Sequence, residues 1–324
     1  MPGQPLEASV WLLIAVLAVG AATGYAVTPL VVSLAWRLGA IDYPKERGVH
    51  TEPMPRWGGL AVYAAFLVAV AVAIALNPGL AGPRLWGIVV GATIVVAVGA
   101  LDDRFGLPAR AKLASQVAAA IVLIAFGVRI DFLSRPFGGG IVYLPTILKW
   151  AVTIFWVAAV TNAVNLIDGL DGLAAGVSAI AALAVCGLAI MYPQPLPAVL
   201  AAAAAGAALG FLRHNFHPAK VFMGDSGAYC LGFVIASVAI VGAFKVAASL
   251  AIFVPLLVLA FPLFETTFSI ARRARNGRPI HVADRDHLYH RMLARGLSQR
   301  AVVLIIYAIS AGFCGLAFWI AEVQ

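Results

Sequence analysis

The sequence predicts an all-α polytopic membrane protein with about ten transmembrane helices, a small external β-hairpin and an amphipathic cytoplasmic loop. Three observations predict it. Of 324 residues, 63% are hydrophobic and only 11% charged, with a mean hydropathy of +0.98; a water-soluble domain is about a quarter charged. Apolar runs recur near residues 9–30, 58–76, 85–101, 113–128, 146–163, 173–191, 196–212, 227–243, 247–270 and 301–321. Most approach the roughly 20 residues a spanning helix needs, the fourth and eighth being short. The basic residues also alternate sides: with the N-terminus outside, 17 of the 22 Lys and Arg fall in inner loops, leaving Arg84, Arg129, Arg135, Lys149 and Lys245 outside. That is a firm positive-inside bias.

Taken in order, the first run has no Lys or Arg before it and a second run soon after, so it is expected to be an anchor and not a cleaved signal peptide. Residues 130–133 and 141–144 alternate around a glycine-containing turn and predict the outer hairpin. Ala201 to Ala205 suit close helix packing through small side chains. Cys186, Cys230 and Cys314 lie inside runs without metal-like spacing and are expected to pack as small apolar groups. No soluble domain, linker or repeat interrupts residues 1–324, which are read as one integral membrane domain. The net charge of +8 follows from the loop bias and from attraction to anionic lipid, so nucleic-acid binding is not needed to explain it.

Polar clusters at the ends of these runs carry the chemistry. Intramembrane ionisable groups are costly and default to function. Asp102 and Asp103 close the third run, with Lys112 ten residues on. The segment NAVNLIDGLDGLAAG joins the fifth and sixth runs and contains no basic residue. Within it Asn165, Asp168 and Asp171 are spaced three apart, so a helical continuation would stack their oxygens on one face. Such hard donors suit magnesium. Asp225, in RHNFHPAKVFMGDSGAY, precedes a helix start: its side chain is either an N-cap or a neighbour of an anion held at that helix end. The last inner loop carries eight arginines. A basic amphipathic helix on the lipid surface would account for it, but His287 and His290 beside Arg291 make a directed cationic face. Acids and amides for a divalent cation, with lysine, arginine and histidine for phosphates, point to phosphoryl chemistry on a charged substrate whose partner comes from the bilayer.

At VHTEPMPRWGGLAVY, the Asp-Asp pair with Lys112, NAVNLIDGLDGLAAG, HPAKVFMGDSG and DRDHLYHRML, the chain resembles the polyprenyl-phosphate N-acetylhexosamine-1-phosphate transferase superfamily, glycosyltransferase family 4. The motifs occur in that family's order across nearly the whole chain. The resemblance implies ten spans with both termini external, an active site on the cytoplasmic face of the inner (plasma) membrane, and Mg²⁺, with Mn²⁺ as a substitute. It also implies transfer of a sugar-1-phosphate from a UDP-sugar to undecaprenyl phosphate with release of UMP, and is compatible with a homodimer. By resemblance, Asp225 is the principal metal ligand and Asn165 a second; Asp102, Asp103 and Lys112 are catalytic. Asp171, Asn215 and Phe222 meet the nucleoside, and Arg285, His287 and His290 the diphosphate. Asn162 and Asp168 are further motif residues. Both Asp102 and Asp103 are expected to orient Lys112 and the cation.

The last loop resembles the UDP-GlcNAc branch and lacks the run of three histidines typical of phospho-MurNAc-pentapeptide translocase, the alternative within the family. It departs from the pattern at Tyr289, where histidine is usual, and at Ala228, where serine is common. Tyr289 is expected to sit between the phosphate binders and to tolerate histidine. The Asp-Gly motif also differs from that of CDP-alcohol phosphatidyltransferases, which need Ala-Arg after the first Asp-Gly. A transporter is the rival from another class, but its polar groups would gather near the midplane. A homologue that only binds lipid carriers would have no use for the full set of acids and amides. The topology has a direct test: in intact cells, a cysteine at Ser134→Cys should react from outside and one at Asn276→Cys should not. External labelling of Asn276→Cys would overturn the orientation.

Overall fold

The computed structural model describes residues 6–44, 52–134, 140–192, 194–242, 256, 258–275 and 287–322. Its helices are α1 (Leu6–Leu38), α2 (Gly58–Leu76), α3 (Pro83–Phe105), α4 (Ala109–Ala125), α5 (Thr146–Leu166), α6 (Leu173–Met191), α7 (Pro195–Asn215), α8 (Gly224–Gly242), α9 (Ala260–Arg275), α10 (Leu288–Ala294) and α11 (Gln299–Glu322). Among the described residues, eight of these (α1 to α3, α5 to α8, and α11) are long and apolar enough to cross a membrane. The fourth predicted run is α4, which has 17 residues and starts before Lys112. The ninth is described at 256 and 258–270, and its second half forms the start of α9. The chain is an all-α polytopic membrane protein.

The packing centre is α8, whose apolar window is 100% buried against 22% for α1 and 33% for α5 and α11. Helices α2, α3, α5, α6 and α7 surround it. Its composition permits this position: Gly, Ala, Ser and Cys alternate with Val, Ile and Phe, so there is no polar face to solvate. Small residues likewise set α1 against α7. A Cβ on Gly206 would fall 2.3 Å from the Leu17 carbonyl oxygen, and one on Gly210 would fall 2.1 Å from that of Ala21. Gly20 and Gly24 present the matching surface on α1. These paired i, i+4 glycines let the two backbones touch. Ala201 to Ala205 are all buried, as expected, and so are the three cysteines.

Five of the seven tryptophans, Trp11, Trp36, Trp86, Trp150 and Trp319, are exposed near helix ends, the positions of an interfacial belt. The expected hairpin is present: β3 (Phe132–Ser134) pairs antiparallel with β4 (Ile141–Tyr143). Asp131 at its base takes Lys149 at 2.8 Å and Arg129 at 3.1 Å. A second pair was not expected from the sequence: β1 (Ile41–Asp42) lies antiparallel to β2 (Met54–Pro55). Two-residue strands have no period to detect.

Candidate active site

The ends of α3, α4, α5 and α8 meet at one end of the bundle. Helix α3 stops because Gly106 takes the left-handed conformation, φ 68°. There Asp102 accepts the Leu107 N–H on Oδ1 at 2.6 Å. Its other oxygen accepts from Lys112 Nζ at 3.1 Å, and the same ammonium donates to Asp225 Oδ2 at 3.0 Å. The short turn at Gly106 to Pro108 therefore brings Lys112, in the first turn of α4, back over the end of α3. Asp225 is completed by Asn165 Nδ2 on Oδ1 at 3.0 Å and by the Tyr229 hydroxyl on Oδ2 at 2.9 Å.

Asp103 does something else. Its side chain is fully buried and accepts from the backbone N–H of Asp225 at 2.8 Å, the N–H of Ser226 at 3.2 Å and the Ser226 hydroxyl at 2.8 Å. The N-cap of α8 is thus supplied from α3, 122 residues away in sequence. This corrects two expectations. Asp225 does not cap its own helix, because it lies inside the first turn and its carboxylate faces Lys112. Asp103 does not orient Lys112, because its oxygens are spent on backbone donors and on Arg56, whose Nε lies 4.0 Å away. Gly224 makes the approach possible. Its φ is +70°, and a Cβ there would fall 2.2 Å from the Arg56 carbonyl oxygen and 2.5 Å from the Asp103 carboxylate.

The amide-and-acid run divides in the same way. Helix α5 ends at Leu166, and the turn through Gly169 and the left-handed Gly172 prevents a helical continuation. Asn165, Asp168 and Asp171 therefore do not stack on one face, contrary to the spacing argument. Asn162 exchanges amide hydrogen bonds with Gln116 of α4, at 2.6 and 3.3 Å, and braces α5. Asp168 stands nearer the acids. Its carboxyl is pushed up to about 8 by burial and by the negative charges of Asp225 and Asp103, so it is largely protonated at pH 7. Asp171 turns the other way, to His217 Nδ1 at 2.8 Å and the Ala219 N–H at 3.1 Å. Asn215 accepts from Gly172 N at 3.0 Å and donates to the Val221 carbonyl at 2.9 Å, tying two turns together. Phe222 is half-buried and is held by its backbone, which bonds Pro55 O and Gly58 N.

The last loop reaches the site through α10. His287 is buried, with Nδ1 3.0 Å from Glu265 Oε1 and 3.2 Å from Ser269 Oγ. Glu265 Oε1 also accepts the Leu288 N–H at 2.9 Å. A carboxylate only accepts, so it holds the proton on Nδ1 and leaves Nε2 for a ligand. His287 is consequently a fixed, buried ring and not part of an exposed cationic face. Tyr289 is 4% exposed and stacks beside both histidines, with ring centroids 5.3 Å from His287 and 4.3 Å from His290. Its hydroxyl packs on Gly169, where a Cβ would lie 2.1 Å from the oxygen. Burial and the carboxyls of Glu265 and Asp168 raise the phenol above its ordinary value. Tyr289 thus lies against both His287 and His290, and its ring joins the last loop to the Asp168–Gly169 turn. Arg285 lies outside the described residues.

Sequence reading passed over Arg56, Gln116, Glu265 and His217. Of these Arg56 and His217 sat inside quoted motifs.

Four aspartates, a lysine and an amide gathered at one end of an apolar bundle define a membrane-embedded enzyme centre. Residues 85–243 match the family described as Glycosyl transferase family 4. The chain is 38% identical over 283 residues to a probable undecaprenyl-phosphate N-acetylglucosaminyl 1-phosphate transferase of Bacillus subtilis, covering 87% of this chain and 78% of the relative. It is 40% identical over 311 residues to a decaprenyl-phosphate N-acetylglucosaminephosphotransferase of Mycobacterium tuberculosis, covering 87% and 76%. It is 28% identical over 283 residues to the undecaprenyl-phosphate alpha-N-acetylglucosaminyl 1-phosphate transferase of Escherichia coli, covering 86% and 76%. The chain belongs to glycosyl transferase family 4 and is a glycosyl-1-phosphate transferase.

Two outcomes follow from the geometry. Asp103→Ala leaves three donors of α8 without an acceptor, so it should lower stability in detergent by about 3 kcal/mol or more, at about 1–3 kcal/mol per buried unsatisfied group. Asp225→Ala, which strands only the Tyr229 hydroxyl while Lys112 stays part-exposed, should lower the melting temperature less than Asp103→Ala and lose turnover; equal melting temperatures for the two variants would refute the capping role. Glu265→Ala should reduce turnover about 10- to 100-fold by freeing the His287 ring. Glu265→Gln, which keeps an acceptor for the Leu288 N–H, should recover part of it, and a Glu265→Ala enzyme with full turnover would remove Glu265 from the site.

Proposed function

We propose that this protein transfers N-acetylglucosamine-1-phosphate from UDP-N-acetylglucosamine to undecaprenyl phosphate, releasing UMP, as the first membrane step of a cell-envelope glycan pathway. The observation that carries the reading is the Lys112 ammonium held between Asp102 and Asp225, with Asn165 on the far oxygen of Asp225. The printed activities of the relatives support the lipid phosphate and the sugar. The positive-inside bias supports a site on the cytoplasmic face of the plasma membrane, with external termini.

Among the described residues no three His, Cys, Asp or Glu are grouped as a protein-only metal cage. Magnesium is commonly held by one or two carboxylates together with substrate phosphates and water, and Asp225, Asp102 and the Asn165 carbonyl are a fitting donor set. When bound, the ion would neutralise charge on the transferring phosphoryl group. A lipid phosphate with a second pKa near 6 is about nine-tenths dianion at pH 7 and needs no base. One of its oxygens bonds to the sugar-linked phosphorus as the bond from that phosphorus to the bridging oxygen of UMP breaks, and UMP leaves with the electron pair. Asp102 holds Lys112 where that charge develops, Asp103 fixes the start of α8, and His287 with His290 presents ring nitrogens to the diphosphate. Asp171 and Phe222 receive the nucleoside, while Asn215 holds their turns together.

The test is UMP release by purified protein supplied with UDP-N-acetylglucosamine and undecaprenyl phosphate. Release should need Mg²⁺ or Mn²⁺, stop on chelation, and fall by more than about 1,000-fold in Asp225→Asn, the scale of a lost transition-state contact. Metal-independent release, or full activity in Asp225→Asn, would overturn the assignment.

A further inference from the structure

The inner end of α7 and the start of α11 border an open cavity of about 580 Å³ that shares no lining residue with the acid–lysine centre. Arg213, Lys220, His217 and Arg300 line it, together with Leu209, Leu212 and Phe216. Leu209, Leu212, Arg213 and Phe216 fall at i, i+3, i+4 and i+7, a single stripe down the last two turns of α7 and past its end. Leu209 lies six residues before the helix end, so the apolar wall reaches about 9 Å into the bilayer from the basic rim. Arg300 is placed by its Nε–H bond to the His217 carbonyl at 3.1 Å, and His217 by Asp171. Among the described residues no carboxylate pairs with Arg213, Lys220 or Arg300.

A basic rim over an apolar wall, at the level where spanning helices leave the membrane, has the chemistry of a phosphate head on acyl chains. We propose that this cavity is a binding site for an anionic phospholipid, separate from the catalytic centre. The charge selects the occupant: a zwitterionic head would bring a second cation against three. Basic pockets between spanning helices bind acidic head groups on these terms. Through Arg300 and the His217 carbonyl a bound lipid would brace the α7–α8 turn.

The experiment is native mass spectrometry of the full-length protein in neutral detergent, titrated with phosphatidylglycerol or phosphatidylcholine. Phosphatidylglycerol should bind more tightly. Arg213→Gln and Arg300→Gln should each weaken it about fivefold, and the double variant about 25-fold, at roughly one basic residue's worth of attraction per substitution. Phosphatidylcholine binding should not change, nor should turnover of the variants in phosphatidylcholine nanodiscs. Equal affinity for the two lipids in the unmodified protein overturns the proposal, whatever the folding of the variants. So does undiminished phosphatidylglycerol binding by the double variant. Displacement of phosphatidylglycerol by inorganic phosphate or UMP would instead assign the cavity to a soluble phosphate ligand, also overturning it. The lipid-binding readouts do not depend on the proposed donor or acceptor.

Discussion

Lys112 bonds two carboxylates at once, and the arrangement of the site depends on that shared ammonium. Asp102 and Asp225 come from helices more than 100 residues apart in sequence, and both sit where apolar helices end and the local dielectric is low. Two like charges there repel strongly unless a cation lies between them. Lys112 supplies one charge for the pair, and Asn165 and Tyr229 supply neutral donors. The centre as a whole stays acidic, with Arg56 near Asp103 and the Asp168 carboxyl pushed up by burial and by its acidic neighbours. On the proposed function, a divalent cation arriving there would offset charge on both the acids and the diphosphate.

The centre needs α8 to begin at one fixed point, and Asp103 fixes it. Capping from a neighbouring helix sets the rotation of α8 as well as its start, because the Asp103 oxygens meet consecutive backbone N–H groups and the Ser226 hydroxyl together. Complete burial of α8 then carries that position into the bundle. Adjacent aspartates thus make unlike contacts, Asp102 with Lys112 and Asp103 with the start of α8. The same split separates Asn165, on Asp225, from Asn162, on Gln116. Membership of a polar motif marks the site's neighbourhood but does not assign contact with substrate.

How much the sequence revealed follows from the range of each interaction. Apolar run length, loop charge and the glycine turn of the outer hairpin are local, and the spans and β3–β4 were legible from them. Asp102, Lys112, Asn165 and Asp225 were legible as candidates because each is a polar group at the end of an apolar run. Their division of labour was not, because the partner of Asp103 is backbone 122 residues away. Glu265 was invisible for a related reason: a single acid ahead of an arginine-rich segment reads as ordinary charge, and only packing brings it to His287, 22 residues on. The burial of Tyr289 was not legible because it depends on the bare backbone of Gly169, 120 residues away, against which the ring packs.

The account's central claim is that Asp225 presents its carboxylate to a cation while Asp103, one helix turn's start away, does not. Electron paramagnetic resonance of Mn²⁺ titrated into the purified protein measures this without turnover. The account predicts that Asp225→Asn weakens Mn²⁺ binding by more than about 100-fold, beyond the 10- to 100-fold typical of outer-shell changes. It predicts that Asp103→Asn, in the fraction that remains folded, binds within a few-fold of the unmodified protein. Unchanged binding in Asp225→Asn, or its loss in folded Asp103→Asn, would contradict the account.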